Sequence, residues 1–308
     1  MALSFDIFSP TSTLRPALAC EITPEGVLVA RRTAGDQTLL SFAPLANPLS
    51  PDIVRPGLSG PNFTDRAAVV AAIRQALDEF DSRNKDLTLV IPDAAVRVLI
   101  LEFESLPSKP QEALPIVRFR LRKLTPFDVE SAAVSYQILR QDEDQARVLV
   151  TVMPAAVRAE YEEVVRSAGY EPGAILPSML ASLAALDPGD AALIVNRNGL
   201  SLTTAIANGN DLLLHRTLEL PPAGAAQREE LAQVVSVASA YYEDTLKAAP
   251  RTLYYNGPGD AREFASAIGS VSETLQVRDL APVPANGAVS ALPPGLAAAG
   301  VMGALASS

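Results

Sequence analysis

Histidine and cysteine carry most nucleophilic and metal-binding chemistry, and this chain has one of each, His215 and Cys20. A lone cysteine builds neither a disulfide framework nor a cysteine-based metal site. A lone histidine removes His-rich metal sites and argues against a Ser-His-Asp triad, so His215 reads as a partly exposed strand residue. The charged residues that stand out are Arg118, Arg120, Arg122 and Lys123, close together on the stretch Pro110–Leu139. Prolines open that stretch, where a missing N–H costs a helix nothing. Val117, Leu121 and Leu124 follow at i, i+4 and i+7, with Ile116 and Phe119 widening the apolar stripe. Pro126 cannot donate to a helical bond and pushes Thr125 out of the α region, so the spacing predicts a basic amphipathic helix ending there. The strand Ala132–Leu139 comes next, with Tyr136 presenting a flat apolar face and a hydroxyl.

The elements that must position these residues belong to a chain of 308 residues, long enough for two lobes, with 48% apolar composition to fill their cores. The net charge of −10 argues against a nucleic-acid partner and against general attraction to anionic lipid. No apolar run reaches the roughly 18 residues of a membrane span, and MALSFDIFSP lacks the basic start of a signal peptide. The expectation is a soluble cytoplasmic protein with no direct membrane insertion.

Ala17–Ile22 and Val27–Arg32 flank a TPEG turn and read as a hairpin, with Thr38–Phe42 as a third strand. A proline-rich loop over 44–62 precedes a helix over 64–82, which Thr64 or Asp65 could cap. Strands follow at Leu87–Ile91 and Val96–Phe103. Residues 97–175 then spell strand, helix, strand, strand, helix, strand, the order of a ferredoxin-like unit. After a helix at Pro177–Leu186, three strands (Ala191–Asn196, Leu200–Ala207, Asp211–Leu218) are joined by RNG and NGN turns and repeat the opening layout. A long helix over 228–248 should face inward with Leu231, Val234, Ala238, Tyr241 and Leu246. A strand at Thr252–Tyr255, the turn Asn256-Gly257-Pro258-Gly259, a helix, a short strand at Leu275–Val277 and a small-residue terminal helix complete the chain.

Two three-strand meanders, each followed by helix–strand units, are the layout of an actin-like fold. The helix–TPF–YQIL stretch, the segment VTVMPAAVRAEYEEVVRSAGYEPGAILPSMLASLAAL and the terminal LAAAGVMGAL, in that order, resemble the type IV pilus assembly PilM family. The related cytoplasmic domain of type II secretion protein GspL is the nearest alternative. The resemblance implies an α/β fold of the actin-like, duplicated ribonuclease H-like type with an inserted ferredoxin-like subdomain. Residues 1–96 would begin the first lobe, 97–175 form the insert, 176–190 return to the first lobe, and 191–308 form a reduced second lobe. The reduction is expected because only about ten residues separate Leu218 from the long helix, leaving no length for a further subdomain.

What the resemblance implies about chemistry falls on three turns. Family members have an Asp-x-Gly turn in each hairpin, where the acid holds Mg²⁺ through water and glycine lets backbone N–H groups reach phosphate. At the first turn this chain has Glu21, with Thr23 and Pro24 in place of small residues; at the second, Asn196, Asn198 and Gly199, with Asn196 in place of the acid. Gly257 and Gly259 stand at the adenine-side turn. The expectation is that hydrolysis is lost and no cofactor is needed, with an ATP-binding or ATP-hydrolysing actin-like enzyme as the alternative. The partner implied is the cytoplasmic tail of a PilN-like membrane protein. It would lie extended between the first lobe and the insert, near Arg118, Arg122, Lys123 and Tyr136, and hold this chain at the inner membrane.

Overall fold

In the computed structural model, two sheets of the same design lie side by side. The described residues are 16–33, 37–45, 52–80, 84–186, 191–209, 211–281, 293 and 295–306. The amino-terminal segment and part of the proline-rich loop over 44–62 lie outside them.

The first sheet is built from β1 (Leu18–Ile22), β2 (Gly26–Arg32), β3 (Thr38–Pro44), β4 (Asp86–Ile91) and β8 (Glu171–Pro177), in the order β3-β2-β1-β4-β8. The second uses β9 (Ala191–Asn198), β10 (Ser201–Asn208), β11 (Asp211–Glu219), β12 (Thr252–Asn256) and β13 (Gln276–Asp279), in the order β11-β10-β9-β12-β13. Each is an antiparallel meander extended by two parallel strands. The duplication expected from the hairpin spacing is therefore present in the pairing itself.

Helix α1 (Arg66–Asp78) starts where the Asp65 carboxylate accepts a 2.9 Å bond from the Ala68 N–H, and it buries Val69, Ala72, Ile73, Ala76 and Leu77. That spacing is one face of a 3.6-residue repeat. Helix α3 (Ala155–Ser167) lies beside it; Arg66 bonds Glu160 and Glu163, and Tyr161 stacks edge-on to Phe63. On the opposite face of the first sheet lie α4 (Ser178–Ser182) and the terminal α7 (Ala299–Ala306), packed through Ala181, Val301, Ala304 and Leu305.

Helix α5 (Ala225–Leu246) covers the second sheet with Leu231, Val235, Ala238 and Tyr242, beside α6 (Ala261–Ile268). Of the inward residues expected from the pattern, Leu231 and Ala238 are buried, Val234 and Leu246 pack partly buried against the same core, and Tyr241 turns outward, its place taken by Tyr242. Tyr242 donates to the Ala191 carbonyl at 3.2 Å, while Tyr241 is 42% exposed. Only Leu220–Gly224 separate β11 from α5, so no further unit stands between them.

The insert differs from the expected boundaries. A three-stranded antiparallel sheet, β5 (Arg97–Phe103), β7 (Ala146–Met153) and β6 (Ala133–Gln141), carries one helix, α2 (Pro110–Leu121). The second helix and fourth strand of the 97–175 unit, α3 and β8, belong to the first lobe, because β8 pairs parallel with β4 and buries Leu176 there. Helix α2 buries Ala113, Val117 and Leu121. It stops at Leu121, short of Thr125, so Leu124 falls beyond the last turn and is exposed, as are Ile116 and Phe119.

Candidate functional site between the lobes

The hairpin turns of the two lobes meet tip to tip. In the first, the Thr23 hydroxyl donates to the Gly26 carbonyl at 3.0 Å and accepts from the Gly26 N–H at 3.2 Å, so its bonding capacity closes its own turn. Pro24 then packs on Gly199, at the tip of the second turn. Gly199 has φ 59°, a left-handed value that favours glycine, and a Cβ there would lie 2.9 Å from Pro24 Cγ.

Behind the turns lies a buried polar chain. Strand alternation points Cys20 and Ile22 toward α1 and turns Glu21 the other way, toward α4 and α7. The Glu21 carboxylate accepts from the Ser178 hydroxyl at 2.6 Å, and a Cβ on Gly300 would come within 2.4 Å of its other oxygen. Burial pushes this carboxyl up to about 7; the Ser178 bond pulls it down, the Asp93 charge raises it further, and the α7 backbone at Val301 lowers it. Asp93, in the 3₁₀ turn Asp93–Ala95 after β4, accepts from the Met179 N–H at 3.0 Å and from Asn196 Nδ2 at 2.8 Å. Its carboxyl is also raised by burial, against the pull of Met179, Asn196 and Thr203. Asn196 Oδ1 accepts from Asn256 Nδ2 at 2.7 Å, and Asn256 Oδ1 from the Ala299 N–H at 3.3 Å. Asn196 and Asn256 are register partners on β9 and β12, which is why the two amides meet.

The remaining turn residues are committed to packing. A Cβ on Gly257 would meet the Tyr255 hydroxyl at 2.6 Å and Arg197 Cβ at 2.8 Å. Gly259 has φ 83°, and Gly295 packs so closely on it that a Cβ there would lie 2.9 Å from Gly259 Cα. Arg197 donates to the Gly199 carbonyl at 3.0 Å and reaches Gln227 at 3.4 Å. Two cavities adjoin the turns, one of about 230 Å³ beside Glu21, Thr23, Asn198 and Gly259, and one of about 740 Å³ beside Pro24, Glu25, Asp93, Arg197 and Gly199. A magnesium-bound triphosphate needs a gap between the turns and an ionised acid facing it. Here the tips touch, and both acids behind them, Glu21 and Asp93, are engaged by protein donors and raised in pKa, so the residues present do not fit that group.

Asp93, Ser178 and Asn256 were not singled out as site residues from the sequence. No local motif marks Asp93 or Ser178, whose partners lie 86 and 157 residues away. Asn256 stood inside a recognised turn but was passed over for its glycines.

The residues expected to meet a partner are dispersed. Arg118 donates to the Val129 carbonyl and, at 3.2 Å, to that of Ala132, and so ties α2 to the loop before β6. Arg122 is paired with Glu130 through bonds of 2.5 and 2.9 Å. Lys123 is exposed, and Tyr136 packs partly buried on the α2 side of the insert sheet. Strand β6 is an edge of that sheet. Where the two lobes and the insert adjoin lies the larger groove, of about 740 Å³, which runs from the hairpin turns at Pro24 and residues 197–199 past Val54, Pro56, Leu58 and residues 96–99 to Leu200 and residues 215–219 of the second lobe. None of Arg118, Arg122, Lys123 and Tyr136 lines it. His215, also on its wall, is pushed down to about 4 by burial and is neutral at physiological pH. Among the described residues, no helix is long and apolar enough to cross a membrane.

No protein-family model matches the chain, and no curated protein does either. Solved structures do. A PilM–PilN type IV pilus biogenesis complex aligns with TM-score 0.67 and 19% identity over 86% of this chain and 88% of that one. The cytoplasmic domain of EpsL, an inner-membrane component of the Vibrio cholerae type II secretion system, aligns at 0.51 and 13% over 94% and 92%. A Bacteroides thetaiotaomicron protein of actin-like ATPase fold aligns at 0.49 and 12% over 88% and 93%. The chain thus has the actin-like fold shared by the PilM and EpsL structures, with its hairpin turns closed on each other.

Proposed function

We propose that this chain is a non-hydrolysing cytoplasmic scaffold of a pilus or type II secretion platform that holds the cytoplasmic tail of a PilN-like membrane protein. The groove where the two lobes and the insert adjoin carries this reading. Its volume is of pocket size, and its walls mix apolar side chains, among them Val54, Leu58, Val98 and Leu200 (43% exposed), with charged ones, among them Asp52, Arg55, Arg97, Arg216 and Glu219. An extended tail would bury apolar side chains against Val54, Leu58, Val98 and Leu200 and set its backbone along the mouth. The likeness to a PilM–PilN complex supports a tail of that kind as the occupant. Through it, the chain would sit beneath the inner membrane without entering the bilayer.

Calorimetric titration with the cytoplasmic tails of single-span proteins encoded beside this one tests the reading. A tail should bind with Kd below about 100 μM, roughly −5.5 kcal/mol, and Leu200→Glu should weaken it at least tenfold. The competing surface is α2 with the β6 edge, probed by Arg118→Glu/Arg122→Glu and by Tyr136→Ala. Binding lost in those variants and kept in Leu200→Glu would move the site there. Failure of every tail would remove the scaffold reading itself.

A further inference from the structure

Helix α4, which follows β8 at the edge of the first lobe, and α7, which returns to that lobe after the second sheet, each start on a buried carboxylate. The first N–H groups of α4 meet Asp93 through Met179, and Ser178 at its start holds Glu21. The start of α7 meets Asn256 through the Ala299 N–H and presses Gly300 against Glu21. Between the two, Asn196 and Asn256 of the second lobe complete an unbroken run of hydrogen bonds back to Asp93.

We propose that this run is a permanent tie between the lobes, doing with side chains what a bridging ligand would otherwise do, and that it keeps the lobes in one arrangement. Asp93, Asn196 and Asn256 are 1%, 0% and 5% exposed. A small rotation of one lobe would separate Asp93 from Asn196 before water could reach either, leaving a buried carboxylate short of a donor, the expensive way to break such a pair. The apolar packing runs the same way, since Met179 and Leu183 share one core with Ala192, Ile194 and Ala205. The Pro24–Gly199 contact closes the third side. The tie does not depend on the partner assignment, and its test involves no tail.

Spin labels on Glu79→Cys, exposed just past the end of α1, and on Asp244→Cys, exposed on α5, report the inter-lobe distance by pulsed electron resonance; Cys20 is fully buried and stays unlabelled. The labelled parent should give one narrow distance, unchanged by millimolar Mg-ATP. Asn196→Asp sets two carboxylates face to face, and Asn256→Ala deletes two bonds without adding charge. Each should broaden or shift the distance while hydrogen exchange within each sheet stays protected. A broad or Mg-ATP-responsive distribution in the parent overturns the proposal, as does a narrow, unshifted one in both variants. If neither variant folds, the parent with and without Mg-ATP decides alone.

Discussion

Replacing Glu21 with Gln isolates the proton linkage of the buried chain. The Glu21 carboxyl ordinarily titrates at 4.5, and burial pushes it up to about 7 in the folded protein. A carboxyl raised on folding favours the protonated native state. Its contribution is therefore complete below about pH 4.5, declines between 4.5 and 7, and is gone above that, where the folded protein carries a buried carboxylate. The gap of about 2.5 pH units corresponds to about 3 kcal/mol at 1.36 kcal/mol per unit. Gln keeps the shape that fits between Ser178 and Gly300 but cannot ionise. The stability of Glu21→Gln minus that of the parent should thus grow by about 3 kcal/mol from pH 4.5 to 8, whatever its value at the acid end. Thermal or urea unfolding at four pH values across that range measures the difference, which amounts to several degrees in Tm for a chain of this size. Two parallel stability curves would refute the reasoning, because they would mean that Glu21 titrates alike in both states.

Removing the hydroxyl in Ser178→Ala should raise the Glu21 carboxyl further, seen as a steeper loss of stability toward neutral pH in the same experiment. Gly303→Ala should destabilise by about 1–3 kcal/mol or more, since a Cβ there would sit 1.9 Å from the Ala181 carbonyl oxygen where α7 crosses α4; an unchanged Tm would count against that packing. Tyr242→Ala should cost about 3–5 kcal/mol and Tyr241→Ala within about 0.5, by urea unfolding; the reverse order would mean that α5 is rotated. With Mg-ATP, phosphate release should stay at the no-enzyme background, and release abolished by Asn196→Arg would contradict the account of the closed turns.

The duplication is legible because its signals are local: a Pro-Gly turn in the first meander, Asn-Gly turns in the second, and short apolar runs between them. Helix α1 and its Asp65 cap follow from spacing alone. Helix α2 was harder, since Val117, Leu121 and Leu124 fit a helical face only if the helix continues, and its last turn ends at Leu121. The second half of the ferredoxin-like order was misassigned for a tertiary reason: β8 finds a better neighbour in β4 than in its own hairpin, which no pattern within 97–175 reveals. At the candidate site, the altered turn residues were readable, but their consequence was not. That Pro24 rests on Gly199, and that Asp93 links Met179 to Asn196, depends on contacts between distant segments. The sequence could not show that Arg118 and Arg122 hydrogen-bond the loop that follows α2, for the same reason.

The scaffold account is tested most directly by mapping hydrogen exchange on the full chain with and without a bound tail. It predicts new protection over residues 52–58, 96–99 and 200–201, with no change along α2 and none on adding Mg-ATP. Protection confined to α2 and β6, or appearing at the hairpin turns only when Mg-ATP is present, would contradict it.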